Sequence, residues 1–132
     1  MPDEVGKPEE WFKIGERDLV SAKILLHADA HVVPTAVLLQ QACEKFLKGF
    51  LISKGWRLRK THDLRILVDT AIEYNADFRG FMDLASKLSA LYLAERYPPL
   101  PQAEYTKEEL QQVQEEAEKL INLIKRLFES PI

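Results

Sequence analysis

The sequence is poor in the features that usually identify a membrane, secreted or cysteine-dependent protein. Cys43 is the one cysteine, so no disulfide can form within the chain, and its apolar neighbours predict a small core residue in a reducing compartment. No segment approaches the roughly 20 apolar residues of a membrane span. The acidic start, Met1-Pro2-Asp3-Glu4, has no apolar run of signal-peptide length. We therefore expect a cytoplasmic protein that does not bind a membrane.

Motifs for metal-dependent, nucleotide-hydrolysing and acyl-transfer enzymes are also absent. There is no P-loop, no G-x-G-x-x-G and no G-x-S-x-G in the sequence. His27 and His31 are four residues apart, but the glutamate of an H-E-x-x-H site is missing, and no E-x-x-H occurs for a di-iron bundle. Cys43 has no nearby histidine to activate a thiolate. The sequence thus predicts no metal site and no cofactor.

Charge is unevenly placed along the chain. The net charge of -3 argues against a general nucleic-acid binder, which is normally basic. Basic side chains crowd one short segment, which carries Lys54, Arg57, Arg59, Lys60 and Arg65. Glutamates acidify the region of the last helix, at Glu104, Glu108, Glu109, Glu115, Glu116 and Glu118. A basic pole on an acidic body favours one site for an anionic ligand over a long binding track.

Proline and glycine divide the 132 residues into five predicted helices and no strand. The first helix begins at Pro8, and the second runs from Pro34 to a stop at Gly55. The others cover about 63–74 and 78–96, and the last follows a capping box at Thr106–Glu109. The segment 98–101 is expected to be irregular because of its prolines. A single domain over residues 1–132 follows, an all-α antiparallel up-and-down bundle of four long helices plus a shorter one.

The second helix is apolar on most sides, so it belongs in the centre of a bundle or between two copies of the chain, and we expect a homodimer. A polar stripe interrupts it at Gln41, Glu44 and Lys48. Glu44 and Lys48 are expected to pair with each other, or with Asp18 or Arg96, because a charge is costly to bury alone. Asp18 itself falls in an apolar stripe of the first helix. Either a basic partner among Lys45, Lys48 and Arg96 neutralises it, or it lies at the edge of the buried face.

The basic segment is typical of a phosphate site. Arg57 and His62 are five residues apart, and an arginine can bind a phosphate with two parallel hydrogen bonds while a histidine can move a proton. Thr61-His62-Asp63 stands at a predicted helix start, where free backbone N–H groups attract anions. Other candidate ligand contacts are Arg59, Lys60, Thr61, Arg96, Tyr97, Lys48 and Glu44. The alternative is a solvated basic turn in which His62 caps the helix.

Several motifs occur in an order that resembles one family. They are Trp11, Asp18-Leu19-x-x-Ala22, Gln41-x-x-Glu44-Lys45-x-x-Lys48-Gly49, Lys60-Thr61-His62-Asp63-Leu64 and Arg96-Tyr97-Pro98. Together they resemble a stand-alone prokaryotic HEPN domain protein from about Pro8 to the last helix. The resemblance implies a helical bundle that forms homodimers and works beside a minimal nucleotidyltransferase, often as a toxin–antitoxin-like pair.

Active members of the wider family are metal-independent RNases with an Arg-x4-6-His motif at a composite site across the dimer. Carried over, the resemblance implies that Arg57 holds the scissile phosphate and His62 transfers a proton. Active RNases commonly have a polar residue after the arginine, where this chain has Leu58. Three hypotheses follow in this order: a nucleotide- or RNA-phosphate-binding subunit, an endoribonuclease, and a structural dimerisation module.

Overall fold

The computed structural model describes residues 6–28, 32–96 and 106–129, without the side chains of 32–33 and 92–96. Helix α1 covers Pro8–His27, α2 Val32–Ser53, α3 Leu64–Ile72, α4 Met82–Arg96 and α5 Lys107–Glu129. A 3₁₀ helix, Ala76–Phe81, precedes α4. All regular elements within these described ranges are helical, so the predicted all-α bundle is confirmed. None of these helices is long and apolar enough to cross a bilayer.

The signals that begin and end the helices are local. At the start of α1, the backbone N–H of Lys7 donates to Glu10 Oε1 over 3.0 Å. At the start of α5, Thr106 N donates to Glu109 Oε1 and Glu109 N donates to Thr106 Oγ1, each over 3.1 Å. This reciprocal pair is the predicted capping box. Gly55 has a φ of 88°, which a residue without a Cβ adopts readily, and it follows the end of α2 as predicted.

Some predicted boundaries are wrong. Helix α2 begins at Val32, two residues before Pro34. The fourth element is not one α-helix from residue 78. Asn75 caps a 3₁₀ turn by accepting from Asp77 N over 2.8 Å, and the α-helix begins only at Met82. A short capped turn competes with the apolar periodicity that predicted a single helix. The proline-rich segment 98–101 lies outside the described residues.

Helix α2 lies at the centre of the bundle and packs against α1, α3, α4 and α5. Its central position confirms the interpretation of its apolar faces. Cys43 is fully buried within this core, and burial raises the pKa of its thiol to about 12. A thiol with that pKa stays protonated at neutral pH, so Cys43 is a packing residue. The largest side chains that are almost fully buried are Phe46, Phe50, Phe78, Leu39, Leu47, Leu51, Leu64, Leu67, Leu84, Leu88, Leu91 and Leu110.

Helices α1 and α2 approach each other closely at two glycines. A Cβ on Gly15 would lie 2.7 Å from Phe46 Cδ2 and 3.2 Å from the backbone oxygen of Ala42. A Cβ on Gly49 would lie 2.7 Å from Phe12 Cε1. Each glycine therefore makes room for an aromatic ring of the other helix. The two rings stack with centroids 5.4 Å apart and planes at 15°. This contact fixes α2, and the polar residues it carries, against α1.

Candidate functional site

Four residues form a polar cluster where α2 meets the end of the following connection. We call Gln40, Glu44, Lys48 and His62 the Glu44 cluster. Glu44 Oε2 accepts from Lys48 Nζ over 2.9 Å, and Glu44 Oε1 lies 3.0 Å from His62 Nδ1. Gln40 Nε2 donates to Glu44 Oε1 over 3.1 Å and to the backbone oxygen of His62 over 2.9 Å. The predicted pairing of Glu44 with Lys48 is confirmed.

Burial separates the members of the cluster. Glu44 and Lys48 are 1% and 5% exposed as residues, whereas the side chain of His62 is 58% exposed. Glu44 and Lys48 therefore lie beneath His62 and are almost completely shielded from solvent. Of these two predicted ligand contacts, Glu44 touches His62, and Lys48 touches Glu44. His62 is the member of the cluster that a ligand can reach.

The carboxyl of Glu44 is held in its ionised form. Burial by itself raises its pKa, but hydrogen bonds from Lys48 and His62, with the charges of Lys48 and Lys45, bring the pKa below its ordinary value. Lys45 Nζ lies 3.7 Å from Glu44 Oε2. An ionised carboxylate can only accept hydrogen bonds, so the Nδ1 that faces it carries a proton. In a neutral His62, Nε2 is then the nitrogen with the basic lone pair.

The connection between α2 and α3 carries the other predicted site residues. We call residues 54–63 the basic connection. Arg57, Arg59 and Lys60 are all exposed, and within the described ranges none of their side chains has a hydrogen bond or ion pair to another residue. Trp56 anchors the connection, because its side chain packs against the core and its backbone N–H donates to Leu51 O over 3.0 Å. The three cations thus project from a fixed point without an internal counter-charge.

The start of α3 does not offer free N–H groups to an anion, contrary to the sequence-based expectation. Asp63 caps the helix by accepting from Arg65 N over 3.0 Å. Leu64 N donates to Ser89 Oγ over 3.3 Å, and Asp63 N donates to Thr61 Oγ1 over 3.1 Å. The guanidinium of Arg65 also binds the Asp63 carboxylate, at 3.1 and 2.9 Å. An internal carboxylate therefore occupies this helix end, and His62 is not its cap.

Arg65, in the first turn of α3, has its charge neutralised by the same contact with Asp63. Its hydrogen bond holds the pKa of Asp63 below its usual range, with help from the backbone N–H of Arg65, its charge and Ser89. Lys54 Nζ, also on the basic connection, lies 5.6 Å from the centre of the Phe50 ring. Arg57, Arg59 and Lys60 are the cations of this connection whose side chains have no hydrogen bond, ion pair or ring contact in the described structure.

The remaining predicted residues are either outside the described part of the chain or have other partners than predicted. Arg96 is the last residue of α4, and its side chain and all of Tyr97 lie outside the described part of the chain. Asp18 is 5% exposed, and its ion pair in the described structure is with Arg17 at 3.6 Å. The proposed partners Lys45 and Lys48 pair with Glu44 instead. No group of three or more His, Cys, Asp or Glu in the described ranges could hold a metal ion.

Comparisons with known proteins agree with this architecture. A family model of the HEPN domain matches residues 8–127. The fold is similar to the crystal structure of an archaeal HEPN homologue, with a TM-score of 0.71 and 27% identity over 90% of this chain and 95% of that chain. No curated protein matches the chain. The chain therefore belongs to the HEPN family, and the resemblance noted from its motifs is confirmed.

Gln40 was missed by the sequence-based reasoning. The polar stripe predicted from the sequence is Gln41, Glu44 and Lys48, whereas the structure places Gln40 in the cluster, fully buried. Gln40 and Glu44 are one helical turn apart, and this i, i+4 spacing was a usable signal. The bond to the His62 backbone joins residues 22 positions apart in the chain, and no local pattern predicts it.

Proposed function

We propose that this chain is a nucleotide- or RNA-phosphate-binding HEPN subunit whose ligand contacts the basic connection and His62. Membership of the HEPN family supports a role related to nucleotides or RNA. One observation carries the finer proposal. Arg57, Arg59 and Lys60 are exposed without a side-chain partner in the described structure, on the same connection as a histidine whose ring a buried carboxylate fixes. The Asp63 carboxylate of this connection is bound to Arg65, and a phosphate would supply a counter-charge for the other three cations.

We propose a homodimer as the working form. Helix α2 keeps an incompletely covered apolar flank at Val37, Leu38 and Ile52, although four helices pack around it. Ile14 of α1 is 37% exposed. A second copy of the chain would cover such a flank by helix packing across a two-fold axis. Sedimentation equilibrium at micromolar concentration tests this, and a monomer there would contradict it.

The proposed macromolecular partner is a minimal nucleotidyltransferase, with which the chain would form a toxin–antitoxin-like pair. This proposal rests on the motif resemblance to stand-alone prokaryotic HEPN proteins. Co-expression and co-purification of the two proteins tests it directly. A partner that elutes separately from this chain at every salt concentration would contradict it.

Isothermal titration calorimetry with ATP, GTP and a short single-stranded RNA tests ligand binding. We expect Arg57→Ala to lower the affinity by about tenfold or more, because a hydrogen bond to a charged group is worth roughly 1.5–3 kcal/mol. Arg126→Ala removes an exposed arginine from α5 and serves as the matched control, with unchanged affinity expected. Absence of heat from all three ligands would contradict the proposal and leave a structural dimer module.

A metal-independent endoribonuclease is the second candidate, and the contact between His62 Nδ1 and Glu44 Oε1 favours it. In such a reaction Nε2, the basic nitrogen of this His62 tautomer, would accept a proton from a ribose hydroxyl, and Arg57 would hold the scissile phosphate. Cleavage of structured and single-stranded RNA in EDTA, ending in a cyclic phosphate, would support it. We expect His62→Ala to abolish that cleavage and to leave binding largely intact. RNA left whole by the wild-type dimer would exclude this candidate.

A further inference from the structure

We infer that Gln40 is a positioning residue, which fixes the backbone and the ring orientation of His62 through its two donor hydrogens. The inference rests on the proposed function in one respect, since it assigns Gln40 a role in presenting His62 to a phosphate. The geometry behind it comes from the Glu44 cluster and needs no ligand. It adds a member to the site that lies one helical turn from Glu44 and is wholly inaccessible to solvent.

The amide group of Gln40 connects two different elements. Its Nε2 donates to Glu44 Oε1 on α2 over 3.1 Å and to His62 O on the basic connection over 2.9 Å. The first bond fixes the carboxylate oxygen that also receives His62 Nδ1. The second bond fixes the main chain from which the imidazole projects. The ring of His62 is therefore held at both ends, by the carboxylate in front of Nδ1 and by its own backbone.

The orientation of the Gln40 amide leaves its oxygen without a hydrogen bond. Both acceptors are oxygens, so the NH₂ group must face them, and a flipped amide would set its oxygen against two others. In the observed orientation Gln40 Oε1 is buried and has no hydrogen-bond partner in the described structure. A buried acceptor without a partner loses its hydration without compensation. A leucine would fill this space without that loss, but it would donate to neither oxygen.

A positioning role and a space-filling role of Gln40 predict different results for Gln40→Leu. If Gln40 only filled space, Gln40→Leu would keep the volume, remove the unpartnered oxygen and leave His62 unchanged. If Gln40 positions His62, the same substitution frees the connection near His62 and allows its ring to exchange tautomers, although the apolar core is intact. The discriminating readout is therefore the protonation pattern of the His62 ring, and thermal stability serves as the check on folding.

Long-range ¹H–¹⁵N spectra of the imidazoles near pH 8 test the inference. The chain has three histidines, and His62→Ala assigns the signal of His62. We expect wild-type His62 as the single Nδ1–H tautomer, and Gln40→Leu as an averaged tautomer pattern with faster backbone amide exchange at His62 and Asp63. Gln112→Leu, the same change at an exposed position of α5, is the control and should match the wild type.

Each outcome decides the inference. An unchanged Nδ1–H pattern in a folded Gln40→Leu variant would overturn it, and so would a wild-type His62 that is protonated on Nε2. Gln40→Asn, which withdraws the same amide by one methylene, provides a second variant if Gln40→Leu does not fold, with the same loss expected. A tautomer change together with no phosphate binding by the wild type would keep the positioning role and refute the proposed function instead.

Discussion

The Glu44 cluster and the basic connection differ in where their charges lie and in whether those charges are paired. In the Glu44 cluster, the charges of Glu44 and Lys48 are buried and paired with each other, and Glu44 also accepts from His62 and Gln40. On the basic connection, Arg57, Arg59 and Lys60 are exposed and have no side-chain partner in the described structure. His62 belongs to both parts. Under the proposed function, the cluster fixes one imidazole and the connection keeps its positive charge for a ligand.

Removal of Glu44 should have the largest effect on stability. Glu44→Leu leaves the ammonium of Lys48 buried without its carboxylate, which typically costs about 3–5 kcal/mol. Adding Lys48→Met should recover most of that loss, because an apolar pair of similar volume has no charge to desolvate. Urea unfolding of both variants measures this, with Glu115→Leu as an exposed control. A loss below about 1 kcal/mol in Glu44→Leu would show that the cluster is not a buried ion pair.

Acidification should destabilise the same cluster by protonating Glu44, without any mutation. The pKa of Glu44 is lowered in the folded protein, so its stabilisation is complete above the pKa of the unfolded chain and is lost as pH falls through the folded value. The free energy of unfolding should therefore decrease on acidification below the ordinary glutamate range. Glu44→Gln, which cannot ionise, should flatten that part of the pH profile. Equal slopes in the two proteins would contradict the assignment.

A change in the packing of α2 against α1 should have the next largest effect on stability. Gly15→Ala places a Cβ 2.7 Å from Phe46 and 3.2 Å from the Ala42 oxygen, and overpacking typically costs about 1–3 kcal/mol. The gain in helix propensity, about 1 kcal/mol, offsets part of this. Gly80→Ala is the matched control, because no atom lies within 4 Å of its added Cβ. Equal melting temperatures of the two variants would contradict a close, tightly packed crossing of α1 and α2 at Gly15.

The basic connection should give the smallest effect on stability and a clear effect on binding. Arg59→Ala and Lys60→Ala remove exposed side chains that have no hydrogen bond or ion pair in the described structure, so each should change the free energy of unfolding by less than about 0.5 kcal/mol. Both should weaken RNA binding and reduce its dependence on salt. A destabilisation as large as that of Gly15→Ala would mean that these cations have a structural role, and the contrast with the cluster would fail.

Local sequence signals predicted part of the fold and part of the candidate site. The spacing of Glu44 and Lys48 predicted their ion pair, and the Thr106–Glu109 pattern predicted a cap, since both contacts lie within one helical turn. The free helix end at α3 was predicted wrongly. Asp63 is a stronger capping residue than its neighbours, and giving it that role would have removed the anion site at this helix end.

Contacts between distant segments could not be derived from periodicity. The apolar pattern of α1 and α2 gives no reason for glycine at positions 15 and 49, because the crossing point of two helices depends on tertiary packing. The contact of His62 with Glu44 joins residues 18 positions apart and crosses the irregular connection. Its geometry depends on how the connection folds back onto α2, which residue types alone do not specify.

The central claim is that His62, oriented by Glu44, and the exposed cations Arg57, Arg59 and Lys60 together bind phosphate. The most direct measurement follows the ¹⁵N signals of the His62 ring during titration with a short single-stranded RNA. We expect a saturable shift of Nε2, while Nδ1 keeps its proton toward Glu44, and we expect Arg57→Ala to move saturation to higher RNA concentration. An unshifted His62 at RNA concentrations that saturate the protein, or a proton that leaves Nδ1 on binding, would contradict the account.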